Sequence, residues 1–140
     1  MNLFPIFAHL AGRRVLIVGG GAVAERKAAL LLSAGAQLDV VAAEATSLFG
    51  KWIAAGEARH RGEAFDEAQL EGCWLAVAAT DDRGLNARVA AAAGARRIFI
   101  NVVDDPALCT LNVAASLWAR RQCGRSDSKH ARIPTPAPRI

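Results

Sequence analysis

The chain has 140 residues, 53% of them hydrophobic and 21% charged, a composition that suits one globular domain with a real core and excludes a highly charged disordered chain. The net charge of +4 is uneven: residues 1–110 carry 11 Lys and Arg against 12 Asp and Glu, residues 111–140 six against one. The basic excess therefore belongs to the C-terminal stretch and argues for no nucleic-acid partner, while the lack of any apolar run of ~20 residues argues for no membrane span.

The opening Met1–Arg14 lacks a basic start and a small-residue cleavage site, so no signal peptide is expected. Cys73, Cys109 and Cys123 are odd in number and widely spaced, which suggests neither a disulfide framework nor a zinc knuckle; a cytoplasmic protein is the simplest inference. Pro5, Ile6 and Phe7 form a short apolar opening, expected to lie extended against a sheet. Arg13–Val18 predicts a first strand, its apolar run fitting a strand buried on both faces. Ala22–Ser33 predicts a helix with Val23, Ala24, Ala28, Leu31 and Leu32 near one face, ended by Gly35.

Gln37–Ala42 predicts the second strand, Thr46–Ala55 a helix, and Glu57–Arg61 a weaker strand at the sheet edge. Phe65–Leu70 predicts a short helical piece. Cys73–Ala79 predicts the fourth strand, Arg83–Ala93 a helix stopped by Gly94, and Ile98–Val103 the last strand. This alternation means an α/β fold: a Rossmann-type, doubly wound parallel sheet of five strands in order 3-2-1-4-5. Residues 1–110 form that domain. Residues 111–140 form a divergent basic tail: Leu111–Ala119 could make a short helix, and Arg120–Ile140, rich in Arg, Ser and Pro, reads as disordered.

Between the first strand and first helix lies Gly19-Gly20-Gly21-Ala22-Val23-Ala24, the spacing G-x-G-x-x-A of a dinucleotide-binding turn. Gly19 allows the turn, Gly21 lets a pyrophosphate approach the backbone, and Ala24 lets the helix pack against its strand. Ligands of such sheets bind beyond the carboxyl ends of the strands. The fourth strand brings Ala79, Thr80 and Asp81 there, and the fifth brings Asn101 and Asp104. Glu44, about 20 residues past the glycines, is the acid best placed for a ribose hydroxyl. Asp39 lies nearer mid-strand and is expected to face solvent. No Arg follows the second strand directly, which favours NAD over NADP. Asp104, beside Asp105, is a candidate general base, although Asp-Asp-Pro also suits a plain turn. His9, His60 and His130 are too scattered for a metal set, so no metal site is expected. Trp52, Trp74 and Trp118 read as packing residues.

Four stretches together resemble one family, over about residues 1–110: Phe4-Pro5-Ile6-Phe7, VLIVGGGAVAERKAALLLSAGA (15–36), FDEAQLEGCWLAVAATDD (65–82) and RRIFINVVDDP (96–106). They are similar to the N-terminal dehydrogenase/chelatase module of siroheme synthase, which also occurs as a stand-alone precorrin-2 dehydrogenase. The resemblance implies NAD-dependent oxidation of precorrin-2, a tetrapyrrole, to sirohydrochlorin. In members with both activities it also implies insertion of ferrous iron as a substrate. It implies a catalytic role for Asp104, in the motif Asn101-Val102-Val103-Asp104, and NAD contacts at Ala22, Val23, Ala43 and Glu44.

The family continues into an apolar strand and a helical dimerisation and substrate-binding region. The run after Thr110 matches none of that and reads as a reading-frame shift or a truncated gene. A family-like homodimer is therefore doubtful, and impaired activity is expected. The alternative is a non-catalytic NAD-binding module.

Overall fold

The computed structural model describes residues 4–112. Five parallel strands form its sheet: β1 Arg14–Val18, β2 Gln37–Val41, β3 Ala58–Gly62, β4 Cys73–Ala78 and β5 Phe99–Val102. Three helices connect them: α1 Ala22–Ser33, α2 Ser47–Ala54 and α3 Arg83–Ala95. The strand order is β3-β2-β1-β4-β5, as the alternation of apolar runs predicts. The expected helix Leu111–Ala119 and disordered tail lie outside the described residues, apart from Leu111 and Asn112.

Successive side chains of a strand point to opposite faces, so a strand covered on both sides must be apolar throughout. Val15 and Ile17 join Leu38, Val40, Leu75 and Val77 under α1 and α2, which contribute Ala24, Ala28, Leu31 and Phe49. Leu16 and Val18 face the other way, with Ala76, Ala78, Ile100 and Val102, under the Val89, Ala90 and Ala93 side of α3. Burying a side chain of Leu or Ile size stabilises by ~1.5–3 kcal/mol, and β1 is buried on both faces. That makes it the centre of the sheet and fixes its carboxyl end, where the glycine turn starts.

Several local expectations need correction. Phe4, Ile6 and Phe7 do not lie against the sheet: they are 86%, 46% and 101% exposed. Leu10 packs against the core under α1 and α2, and the chain then turns at Gly12 (φ +72°), whose N–H donates to Gly35 O at 2.9 Å. The preceding residues project away. α3 does not stop at Gly94. It runs to Ala95 and closes by bonds from Arg97 N to Gly94 O and from Ile98 N to Ala93 O, with Arg97 taking the left-handed conformation (φ +56°). The piece before β4 is a 3₁₀ turn, Glu67–Leu70, in which Asp66 at the N-cap and Gln69 within the turn form a capping box.

Asp39 does not face solvent. It is 1% exposed, with Arg59 Nε at 3.0 Å, Arg14 Nε at 3.8 Å and Arg61 Nη1 at 3.9 Å. Its neighbours β1 and β3 bring the three guanidiniums to it. Trp52 meets Phe49 edge-on at 5.3 Å, and Trp74 packs on Phe99 at 5.0 Å with Arg13 over its ring. Both are packing residues, as expected; Trp118 lies outside the described residues.

Candidate functional site

The carboxyl ends of β1, β2, β3 and β4 surround a cavity of about 640 Å³. Gly19, Gly21, Ala22, Val23, Ala43, Glu44 and Thr80, the residues singled out from sequence for a cofactor, all line it. Its far side is formed by Glu63, Ala64, Phe65, Leu85 and Arg88.

The three glycines differ in what they do. Gly19 has φ +127°, and a Cβ there would stand 2.3 Å from Ala79 O. Gly20, which the spacing rule passes over, is the tightest: a Cβ would stand 2.0 Å from Glu44 O. Its carbonyl accepts from Thr46 N at 3.0 Å, which draws the loop after β2 onto the turn. A Cβ on Gly21 would meet nothing within 4 Å. Gly21 therefore borders open cavity rather than protein, which fits a turn left clear for a bound group.

Gly21 also heads α1, without a side-chain cap. The first helical bond runs from Glu25 N to Gly21 O at 2.9 Å, so the amides of Ala22, Val23 and Ala24 have no acceptor within the helix. Free amides and the positive end of the helix dipole favour an anion there. The residues present thus fit the pyrophosphate of a dinucleotide. Glu44 is exposed at the second strand's end, where its negative charge suits a ribose diol better than a ribose phosphate.

Sequence reading missed two braces of this cavity. Glu25 on α1 accepts a hydrogen bond from Thr46 Oγ1, fastening the loop after β2 to the helix. Asn86, 5% exposed, is the second. Its Nδ2 donates to Thr80 O at 2.9 Å and its Oδ1 accepts from Thr80 Oγ1 at 2.6 Å. Thr80 consequently lines the cavity with its hydroxyl already engaged by Asn86. An asparagine inside the first turns of a helix, where its propensity is poor, was the available signal.

Asp104 lies elsewhere. It is exposed, in the left-handed conformation (φ +59°), where β5 ends. It borders a second cavity of about 400 Å³ between α1 and the chain after β5, lined by Val23, Arg26 and Lys27 on one side and by Asn101, Asp104, Asp105 and Cys109 on the other. Val23 lines both cavities, so the two adjoin at the start of α1.

The Cys109 thiol gathers this loop: Val102 N donates to Sγ at 3.1 Å, and Sγ donates to Val102 O at 3.2 Å or Asp105 O at 3.3 Å. Thr110 and Leu111 then turn back onto Ile100 O through their N–H groups. Across the cavity, burial pulls the half-buried Lys27 amine below the ordinary lysine pKa. Cys109 and Asp104 oppose that shift, and the neighbouring Arg26 adds to it.

A parallel sheet with an uncapped glycine turn at the head of its first helix defines a dinucleotide-binding α/β domain. Residues 6–115 match the family described as "Putative NAD(P)-binding", and the chain belongs to it. It is similar to the siroheme synthases of Escherichia coli K12 / DH10B and of Escherichia coli SE11, with 57% identity to each over 106 residues. That match takes in 76% of this chain and 23% of each siroheme synthase, so the chain spans under a quarter of those relatives. Among solved structures the fold is like that of "SirC, precorrin-2 dehydrogenase". The TM-score is 0.66 at 24% identity, over 86% of this chain and 68% of that one.

Proposed function

We propose that the chain is an NAD-dependent dehydrogenase module of siroheme synthesis that oxidises precorrin-2 to sirohydrochlorin. The observation that carries this reading is the junction of the two cavities at Val23: a dinucleotide cleft on one side and a carboxylate at the mouth of the other. The 57% identity to siroheme synthases supports it.

In this reading the amides of Ala22 and Val23 hold the pyrophosphate, Glu44 and Ala43 border the adenosine ribose, and the backbone of Thr80 bounds the cleft. When bound, NAD supplies the hydride acceptor. Asp104, at the cavity mouth, takes the proton that the substrate loses as it is oxidised. The reading extends to ferrous iron as a second substrate: the metal would displace two pyrrole protons, Asp104 receiving one and solvent the other.

The test is anaerobic turnover of precorrin-2 with NAD, following NADH and sirohydrochlorin together. Stoichiometric appearance of both is expected, with a rate ~100-fold lower in Asp104→Asn, the scale of a positioned base. NAD binding without turnover would leave only the alternative, a binding module. Full turnover in Asp104→Asn would return Asp104 to the role of a turn residue.

A further inference from the structure

A buried charge in a folded protein is ordinarily paired, because removing an ammonium from water is costly unless another charge or an acceptor replaces the water. Lys27 is an intermediate case, partly buried with its amine still reached by solvent. It is half-buried in the wall of the second cavity, and among the described residues it makes neither a hydrogen bond nor an ion pair. Burial depresses its pKa, the direction expected of an amine whose charge is incompletely compensated. Arg26, next on the same helix and bordering the same cavity, also has no ion pair among the described residues.

The cavity is consequently polarised. Its α1 wall carries two cations, and the wall after β5 carries the carboxylates of Asp104 and Asp105. A ligand that suits both walls has acidic groups on one edge and N–H groups on another. An acid reaching Lys27 would give the amine the charged partner that the fold does not supply among the described residues. A charge-assisted hydrogen bond of this kind is among the stronger polar contacts.

We propose that Lys27 is the anchor for a carboxylate of the substrate, orienting an acidic macrocycle with its carboxylate edge on α1 and its N–H core towards Asp104. This deepens the precorrin-2 reading and rests on it. Lys27 is a positioning residue here: it holds the substrate while the chemistry takes place elsewhere in the cavity.

The test uses the 140-residue protein saturated with NAD and, as probe, uroporphyrin, an octacarboxylate tetrapyrrole whose fluorescence reports binding. Lys27→Met is expected to weaken binding at least about tenfold, the loss of one charged hydrogen bond, while NAD affinity and the melting temperature stay unchanged. Lys27→Arg keeps the charge and is expected to recover most of the affinity. In turnover, the Met variant should raise KM for precorrin-2 far more than it lowers kcat. Unchanged porphyrin affinity in Lys27→Met would overturn the proposal, as would a loss that Lys27→Arg does not repair or a wild-type protein that does not bind the probe. If the wild type binds uroporphyrin through Lys27 yet never oxidises precorrin-2, the proposed reaction fails and the acid anchor stands.

Discussion

Asp39 is a charge withdrawn from water and Lys27 a half-buried one, and the fold treats them in opposite ways. Asp39 sits in the interior of the sheet with three guanidiniums within 4.0 Å, brought to it by β1 and β3. Lys27 sits in the wall of a cavity with none of its charge paired among the described residues. The first is a cluster contained within the sheet, in which Arg59 donates to the carboxylate and Arg14 and Arg61 stand at longer range. The second is left open on the side where a ligand would stand. A carboxylate met by three cations within the sheet, set against an amine that meets no ion-pair partner among the described residues at the carboxyl ends of the strands, separates the scaffold of this molecule from its working part.

The largest break in that contrast is expected from Asp39→Ala. Removing the carboxylate leaves Arg14, Arg59 and Arg61 facing one another, and breaking a buried charge cluster costs about 3–5 kcal/mol. The partial exposure of the arginines places the expected loss near the lower end, about 3 kcal/mol, read as a fall in the urea midpoint. A midpoint within error of wild type would mean that the cluster is passive.

Gly20→Ala comes next. Its Cβ would lie 2.0 Å from Glu44 O, so the loop after β2 must move, at about 1–3 kcal/mol for overpacking. Weakened cofactor binding should accompany the lower stability, because the same loop carries Ala43 and Glu44. Normal stability with normal binding would show that the loop yields freely.

The smallest effect belongs to Lys27. Its folded pKa lies below the unfolded value of 10.5. Between the two, the unfolded chain therefore binds more protons, and stability rises with pH across that window. The groups facing Lys27 are Arg26 on its own helix and Asp104, Asp105 and Cys109 across the cavity. Lys27→Met should abolish this part of the rise, which lies just below the ordinary lysine value of 10.5, while leaving the midpoint at neutral pH unchanged or slightly higher. An identical pH profile in the two proteins would mean that the amine is as well solvated folded as unfolded.

The sheet was legible because its signals are local. Continuous apolar runs such as Val15–Val18 mean strands covered on both faces, and helices between them leave few alternatives to a parallel order. The cofactor cleft was legible for a similar reason, since its residues cluster where strands end. What escaped depends on distance in space. Gly20 matters because Glu44 O, from another loop, comes close to it; Asn86 matters because it turns back to Thr80; Asp39 is buried because arginines from two flanking strands cover it. No spacing rule within one segment contains those meetings. Phe4–Phe7 failed in the opposite sense: an apolar composition suggested burial, and the turn at Gly12 sends the segment away from the core.

The glycine turn offers the most direct measurement, because Gly21, unlike Gly20, has nothing within 4 Å of where a Cβ would lie. Calorimetric titration of NAD into the wild type and into Gly21→Val separates folding from binding. The melting temperature should be retained, one NAD should bind the wild type, and the variant should bind at least about tenfold more weakly, because its side chain occupies the approach of the pyrophosphate. Equal NAD affinity in the two proteins would contradict the account at its centre, since the cofactor would then lie somewhere other than the turn at the head of α1.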